Sequence, residues 1–201
     1  KTIMSERAQK LAKETGARII AVQHHHAHLA ACLADNGLAP GEERSLGLIL
    51  DGLGLGQDGT VWGGEILLGG YSGFERKGHL LPVALPGGST AVREPWRNLV
   101  AHLTAALGPD YLSFVPDGPL AEALRAKQLP VLDKMIASAI NAPLSSSAGR
   151  LFDAVAAALG VCFDAQGYEG HAGSTLECLA RPFIASEAPY PVAIDDGEQT
   201  V

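Results

Sequence analysis

Cysteine is scarce and poorly placed for cross-links. The 201 residues hold three, Cys32, Cys162 and Cys178, with no CxxC pair among them. That excludes a disulfide framework and a cysteine zinc knuckle, and it fits a reducing compartment. Long apolar runs are also missing: no stretch approaches the roughly 20 residues that span a bilayer. The start, KTIMSERAQKLAKE, is charged and lacks the apolar core of a signal peptide. A cytoplasmic protein with no membrane partner is expected. Positive charge is in deficit too. A formal net charge of −7 argues against attachment to nucleic acid through phosphate contacts, so no nucleic-acid partner is expected. Ser, His and Asp occur without a GxSxG elbow, which leaves a serine hydrolase little support. No cysteine has the cationic neighbours that mark a nucleophile.

The chain does have 47% hydrophobic residues, 24 glycines and 12 prolines. This composition suits a loop-rich α/β protein of one ordinary domain or two small lobes. Residues 5–14 read as a helix, Ala17 to Val22 as a short strand, and His24 to Leu33 as a second helix. GLAPGEERS is a turn-rich boundary. Residues 46–83 then predict a three-strand antiparallel meander. Helices follow: PWRNLVAHLTAAL opening on proline, residues 119–128 and 130–141 split by Pro130, RLFDAVAAALG with its closing glycine, and the shorter TLECLAR. The tail from Ser186 is polar and ends without a closing element.

Four segments can carry chemistry. In VQHHHAH a strand feeds a helix, and 3.6 residues per turn puts His24 and His28 on one face, where they can share a metal ion. The same periodicity rotates His25 and His26 away. Two imidazoles at i, i+4 leave coordination positions open, and a helix N-terminus favours the neutral, metal-binding form. A solvated helix start would carry the same residues. The second segment, DGLGLGQDG, ends an apolar strand at Asp51. It lacks the GK[ST] of a P-loop, the carboxylate spacing of an EF-hand and the helix that follows a Rossmann fingerprint. What remains is a glycine-rich hairpin, either ordinary or phosphate-holding. The third, SSSAGRLFD, offers a helix N-terminus to a phosphate or ribose. Asp153 is expected in its first turn, where the helix dipole would favour it. The fourth, GYEGHAG, is a loop with Glu169 and His171.

In this order, VQHHHAHLAACLADNG, LDGLGLGQDGTVWGGEILLGGY, LPVALPGGSTAVREPWRN, INAPLSSSAGRLFDAVAAALG and YEGHAG resemble the C-terminal domain of the HypF hydrogenase-maturation carbamoyltransferases, from about Met4 to Leu179. The resemblance implies an actin/hexokinase-like (ASKHA) α/β fold, with residues 1–45 ending a first lobe that holds the HxxxH helix. Residues 46–201 would be part of a second lobe. It also implies a carbamoyltransferase using ATP-derived carbamoyl adenylate made by an upstream adenylate-forming domain. The carbamoyl group passes to the C-terminal cysteine of a HypE-like acceptor, on the way to the cyanide ligand of [NiFe]-hydrogenase.

By the same resemblance, His24, His28 and the catalytic Asp51 hold a divalent metal, iron or zinc. Gly52 and Gly54 line the carbamoyl-phosphate end of the adenylate, and Asp153 and Gly170 hold its nucleoside. Amides of the glycine turn are expected to offset the oxyanion. The nucleophile is a partner's thiolate, so none is needed here. His171 stands where the family pattern carries an acidic residue. The family's SGG loop and DGG segment are expected beyond Val201, so this chain is not expected to complete the reaction alone. The alternatives are an O-carbamoyl or tRNA threonylcarbamoyl transferase relative, or a non-catalytic metal-binding interaction module.

Overall fold

The computed structural model describes residues 3–41 and 44–188. Helix α1 (Ile3–Thr15) leads through an extended segment to α2 (His24–Asp35). Strands β1 (Ser45–Leu55), β2 (Val61–Gly70) and β3 (Gly73–His79) form the expected antiparallel meander, with β2 central. Two very short strands, β4 (Val83–Ala84) and β5 (Leu144–Ser145), extend the sheet, β5 lying parallel to β2 at Val61. A helical layer follows: α3 (Ser89–Arg93), α4 (Pro95–Leu107), a 3-10 turn at Tyr111–Phe114, α5 (Pro119–Arg125), α6 (Leu129–Ala137), α7 (Ala148–Ala158) and α8 (His171–Ala180).

Two apolar cores fix this arrangement. Leu29 and Leu33 recur at i, i+4 on α2 and pack on Ile49 and Leu67 of the sheet. The larger core joins α4 to α7 and gathers Trp96, Leu99, Val100, Tyr111, Leu124 and Leu132. These contacts press the start of α2 and the start of α7 against the same strand, β1.

Three expectations need correcting. Ala17 to Val22 forms no strand, and Ile19, Ile20 and Val22 are 50%, 71% and 60% exposed. A strand needs a ladder partner, and no described segment offers one. The helix expected over 130–141 stops at Ala137, because Ala139 and Asn141 turn to φ 52° and 50°. Helix α8 starts at His171, inside the segment read as loop, with Gly170 in the left-handed region at φ 82°. The polar tail from Ser186 lies almost wholly outside the described residues.

Candidate metal centre and anion-binding cleft

The site begins with a helix cap. Gln23 is extended, and its Oε1 accepts the His26 N–H at 2.8 Å, satisfying one of the orphan amides that open α2. That start places His24 and His28 one turn apart with ring centroids 4.6 Å from each other. Asp51 comes from β1. The β1–β2 register shifts between Leu50 and Gly54, so Asp51 leaves the ladder and points at α2.

His24 Nε2 lies 2.8 Å from Asp51 Oδ2 and 3.2 Å from His28 Nε2, and His28 Nε2 lies 3.6 Å from Asp51 Oδ2. Protein ligands about 2.0–2.2 Å from one cation stand roughly 2.8–3.6 Å from each other. The three atoms therefore have the spacing of a shared ion, and His24, His28 and Asp51 are the cluster found among the described residues. Two borderline nitrogens and a hard oxygen suit zinc or iron. The imidazoles are 49% and 51% exposed, which leaves a face open for a further ligand. Burial would raise the pKa of Asp51, but the Gly52 N–H at 2.6 Å and His24 outweigh it and hold the carboxylate below its ordinary value.

The other two histidines part company. His26 does turn away, donating from Nε2 to the Gly70 carbonyl at 2.7 Å with its ring against Phe74. His25, which helical periodicity also rotates away, instead turns inward. It is fully buried beside Trp62, and its Nε2 comes within 3.6 Å of Asp51 Oδ2. Burial lowers its pKa, against the opposing pull of Asp51. Gly54 makes room for this pair of rings: a Cβ there would stand 2.6 Å from His24 Cδ2 and 2.7 Å from His25 Nε2. Gly54 thus backs the histidines and does not line the cleft beyond Asp51.

That cleft, about 300 Å³, runs from Asp51 and Gly52 across the start of α7 to Glu169 and Gly170. Ser147 caps α7 by accepting the Arg150 N–H at 3.2 Å, and its hydroxyl donates to the Gly52 carbonyl at 2.6 Å. Helix and strand are so close that a Cβ on Gly149 would sit 2.9 Å from Gly52 Cα. The Gly52 amide is already committed to Asp51, so the free N–H groups facing the cleft belong to the first turn of α7.

Arg150 was not singled out by sequence reasoning, and it is the strongest feature of the cleft. Its side chain is buried, and Nε and Nη1 make no well-formed hydrogen bond within the described residues. Nε nevertheless lies 3.0 Å from Asp153 Oδ2. Asp153 sits in the second turn of α7, not the first, because the helix begins at Ala148. Its carboxylate floors the cleft and is engaged from within by Arg150, by Gln166 Nε2 at 2.8 Å and by Asn98 Nδ2 at 3.4 Å. Burial pushes its pKa up to about 6, against the pull of Arg150 and Gln166. Gly170 is on the rim. His171 leaves the cleft, stacking on Tyr168 with Nδ1 3.5 Å from Cys162 Sγ.

Residues 47–201 match the model of the carbamoyltransferase Kae1-like domain, second subdomain, of the HypF proteins. The chain belongs to the HypF family. Residues 4–35 match the HypF Kae1-like domain model as well. The carbamoyltransferase HypF of Rhodobacter capsulatus is 53% identical over 178 residues, which are 88% of this chain and 22% of that protein. A probable carbamoyltransferase HypF of Methanocaldococcus jannaschii is 37% identical over 88% of this chain and 22% of its own length. The chain thus spans about a fifth of these HypF relatives. A full-length HypF crystal structure in the phosphate- and nucleotide-bound form superposes with a TM-score of 0.74 at 35% identity, covering 86% of this chain and 22% of that one. The T. kodakarensis HypF structure gives 0.75 at 34%, covering 88% and 23%. The expected actin/hexokinase-like α/β fold stands.

One further network braces the HypF cleft from below. Glu65 on β2 is fully buried and accepts from Arg76 Nε at 2.6 Å, from the Gly63 and Gly64 amides at 3.1 and 3.3 Å, and from the Ser146 hydroxyl. Burial would raise its pKa, but Arg76, Ser146 and Gly63 together hold it below the ordinary glutamate value. Its contribution to stability is therefore present above that ordinary value and is lost as pH falls through the lowered one. Replacing Glu65 by Leu takes one carboxylate from Arg76, which keeps Asp58 at 3.1 Å, and leaves the Gly63 and Gly64 amides without this acceptor. At about 1–3 kcal/mol for each stranded amide the expected cost is about 2–6 kcal/mol, read as a lowered urea midpoint at pH 7.

Proposed function

We propose that this chain forms one face of the site at which a carbamoyl group leaves carbamoyl adenylate for the C-terminal cysteine of a HypE-like acceptor protein. The product thiocarboxamide is the precursor of the cyanide ligand of [NiFe]-hydrogenase. The reading rests above all on one juxtaposition: the His24–His28–Asp51 cluster stands at the mouth of a cleft floored by a helix N-terminus and a buried arginine. The name of its relatives, carbamoyltransferase, and the nucleotide and phosphate bound by the full-length HypF structure support it.

His24, His28 and Asp51 would hold a divalent metal, zinc or iron, which supplies Lewis-acid polarisation of the carbamoyl or phosphate oxygens. The remaining work falls to the chain's own groups. In the transfer, the acceptor's thiolate sulfur bonds to the carbamoyl carbon, and the bond from that carbon to the phosphate oxygen breaks. AMP departs with the electron pair, gaining negative charge on its phosphate. The first-turn amides of α7 and the guanidinium of Arg150 are placed to take up that charge, and being fixed beforehand they need little reorganisation. The glycine turn, assigned this task from sequence, has its Gly52 amide tied to Asp51. Asp153 orients Arg150, and Gly170 gives the rim for the nucleoside. The thiol comes from the partner, since Cys162 lies with His171 away from the cleft lining.

The test uses the full-length protein carrying Asp51→Asn, with the upstream adenylate-forming domain intact. Adenylate formation, followed as carbamoyl-phosphate-dependent ATP turnover, should persist. Carbamoylation of the acceptor cysteine, read by mass spectrometry, should fall by about 100-fold or more, the scale on which even outer partners of a metal site matter being 10–100-fold. Undiminished acceptor modification would defeat the assignment. Acceptor docking that persists without any modification in the wild type would favour the non-catalytic module.

A further inference from the structure

We infer that His25 is a positioning residue of this centre, a hydrogen-bond donor that holds the Asp51 carboxylate and contributes no bond of its own to a metal. The inference rests on the metal-binding reading above. It starts from the cap of α2. The Gln23 Oε1 accepts a backbone N–H, from His26 at 2.8 Å, so that end of the amide must be the oxygen. The other end is the NH2, and it faces two acceptors, the Leu55 carbonyl at 3.4 Å and His25 Nδ1 at 3.0 Å. His25 Nδ1 therefore carries the lone pair, and in a neutral ring the hydrogen then sits on Nε2.

That hydrogen has no partner. His25 is fully buried, and its Nε2 makes no hydrogen bond within the described residues, a costly state for an interior polar atom. The ring cannot swing out, because Trp62 lies 5.7 Å away on one side and Gly54 is packed against its Cε1–Nε2 edge. The acceptor within reach is Asp51 Oδ2 at 3.6 Å, about half an ångström beyond an ordinary hydrogen bond. A slight turn of the carboxylate closes that gap. One lone pair of Oδ2 would then receive the N–H while the other remains for a cation, the arrangement by which outer partners commonly orient a ligating carboxylate. His25 cannot be a ligand in this tautomer, since its only lone pair is turned to Gln23.

Zinc binding to the full-length protein tests this by chelator competition and zinc-edge X-ray absorption. Gln places an amide N–H near the position of Nε2, and Leu places none. His25→Leu is expected to weaken zinc binding 10–100-fold, while His25→Gln retains most of the affinity. Wild type and His25→Gln should each show two imidazoles on the metal. Three imidazoles in the wild type would overturn the inference, as would a folded His25→Leu that binds zinc as tightly as the wild type. The wild-type absorption measurement decides the matter even where His25→Leu fails to fold. Failure of the metal reading itself looks different: the wild type then binds no zinc, or binds it without imidazole.

Discussion

Replacing His24 and His28 together by alanine is expected to strip the chain of divalent metal while leaving its fold intact. The two side chains are half exposed, and the apolar anchors of α2, Leu29 and Leu33, lie on the other side of the helix from solvent. Alanine is also the best helix former, so neither α2 nor the sheet beneath it should suffer. What disappears is two of three ligand atoms that stand 2.8–3.6 Å apart. A lone carboxylate holds zinc or iron far less tightly, and the loss should exceed the 10–100-fold that follows from disturbing outer partners alone. Elemental analysis of wild type beside the double variant checks it. Equal metal content in both would mean that the ion sits elsewhere.

The second large effect concerns Arg150. A charged hydrogen bond to phosphate is worth about 1.5–3 kcal/mol, so Arg150→Met should weaken AMP binding by roughly 10–100-fold. Removing the guanidinium alone would leave the buried Asp153 carboxylate without a counter-charge, held only by Gln166 and Asn98. The double variant Arg150→Met/Asp153→Asn removes both charges and keeps the volume, so it separates binding from folding. Its AMP affinity, followed by titration calorimetry, should stay as low as that of the single variant while its thermal midpoint recovers. Arg150→Lys should recover only part of the affinity, because a point charge lacks the planar fork. Wild-type affinity in Arg150→Met would put the phosphate elsewhere. Metal content should be unchanged in all three variants.

Much of the frame could be read from the sequence because its signals were local. The i, i+4 spacing of His24 and His28, the turn-separated strand segments of residues 46–83 and the serine run before RLFDAV each depend on neighbours within a few residues. They reappear as the His24–His28–Asp51 cluster, the β1–β3 meander and the Ser147 cap. The misses share another cause. Ala17 to Val22 has strand composition, yet composition supplies no partner for its backbone. The helical wheel alone sets His25 aside, whereas its burial depends on Gly54 and Trp62, about 30 and 40 residues further on. Arg150 carries no distinguishing signal in the sequence. Only the approach of Gly149 to Gly52 and the carboxylate of Asp153 turn it into a buried group facing a cleft. Gly54 carries a signal of its own, a glycine inside a strand, which marks close approach, and the rings of His24 and His25 are what pack against it.

The most direct test of the account is anomalous diffraction at the zinc or iron edge from crystals of the metal-loaded full-length protein. A single strong peak is expected in this domain, about 2.0–2.2 Å from Nε2 of His24, Nε2 of His28 and an oxygen of Asp51. A metal peak bound by other residues, with these three side chains merely hydrogen-bonded to one another, would contradict it.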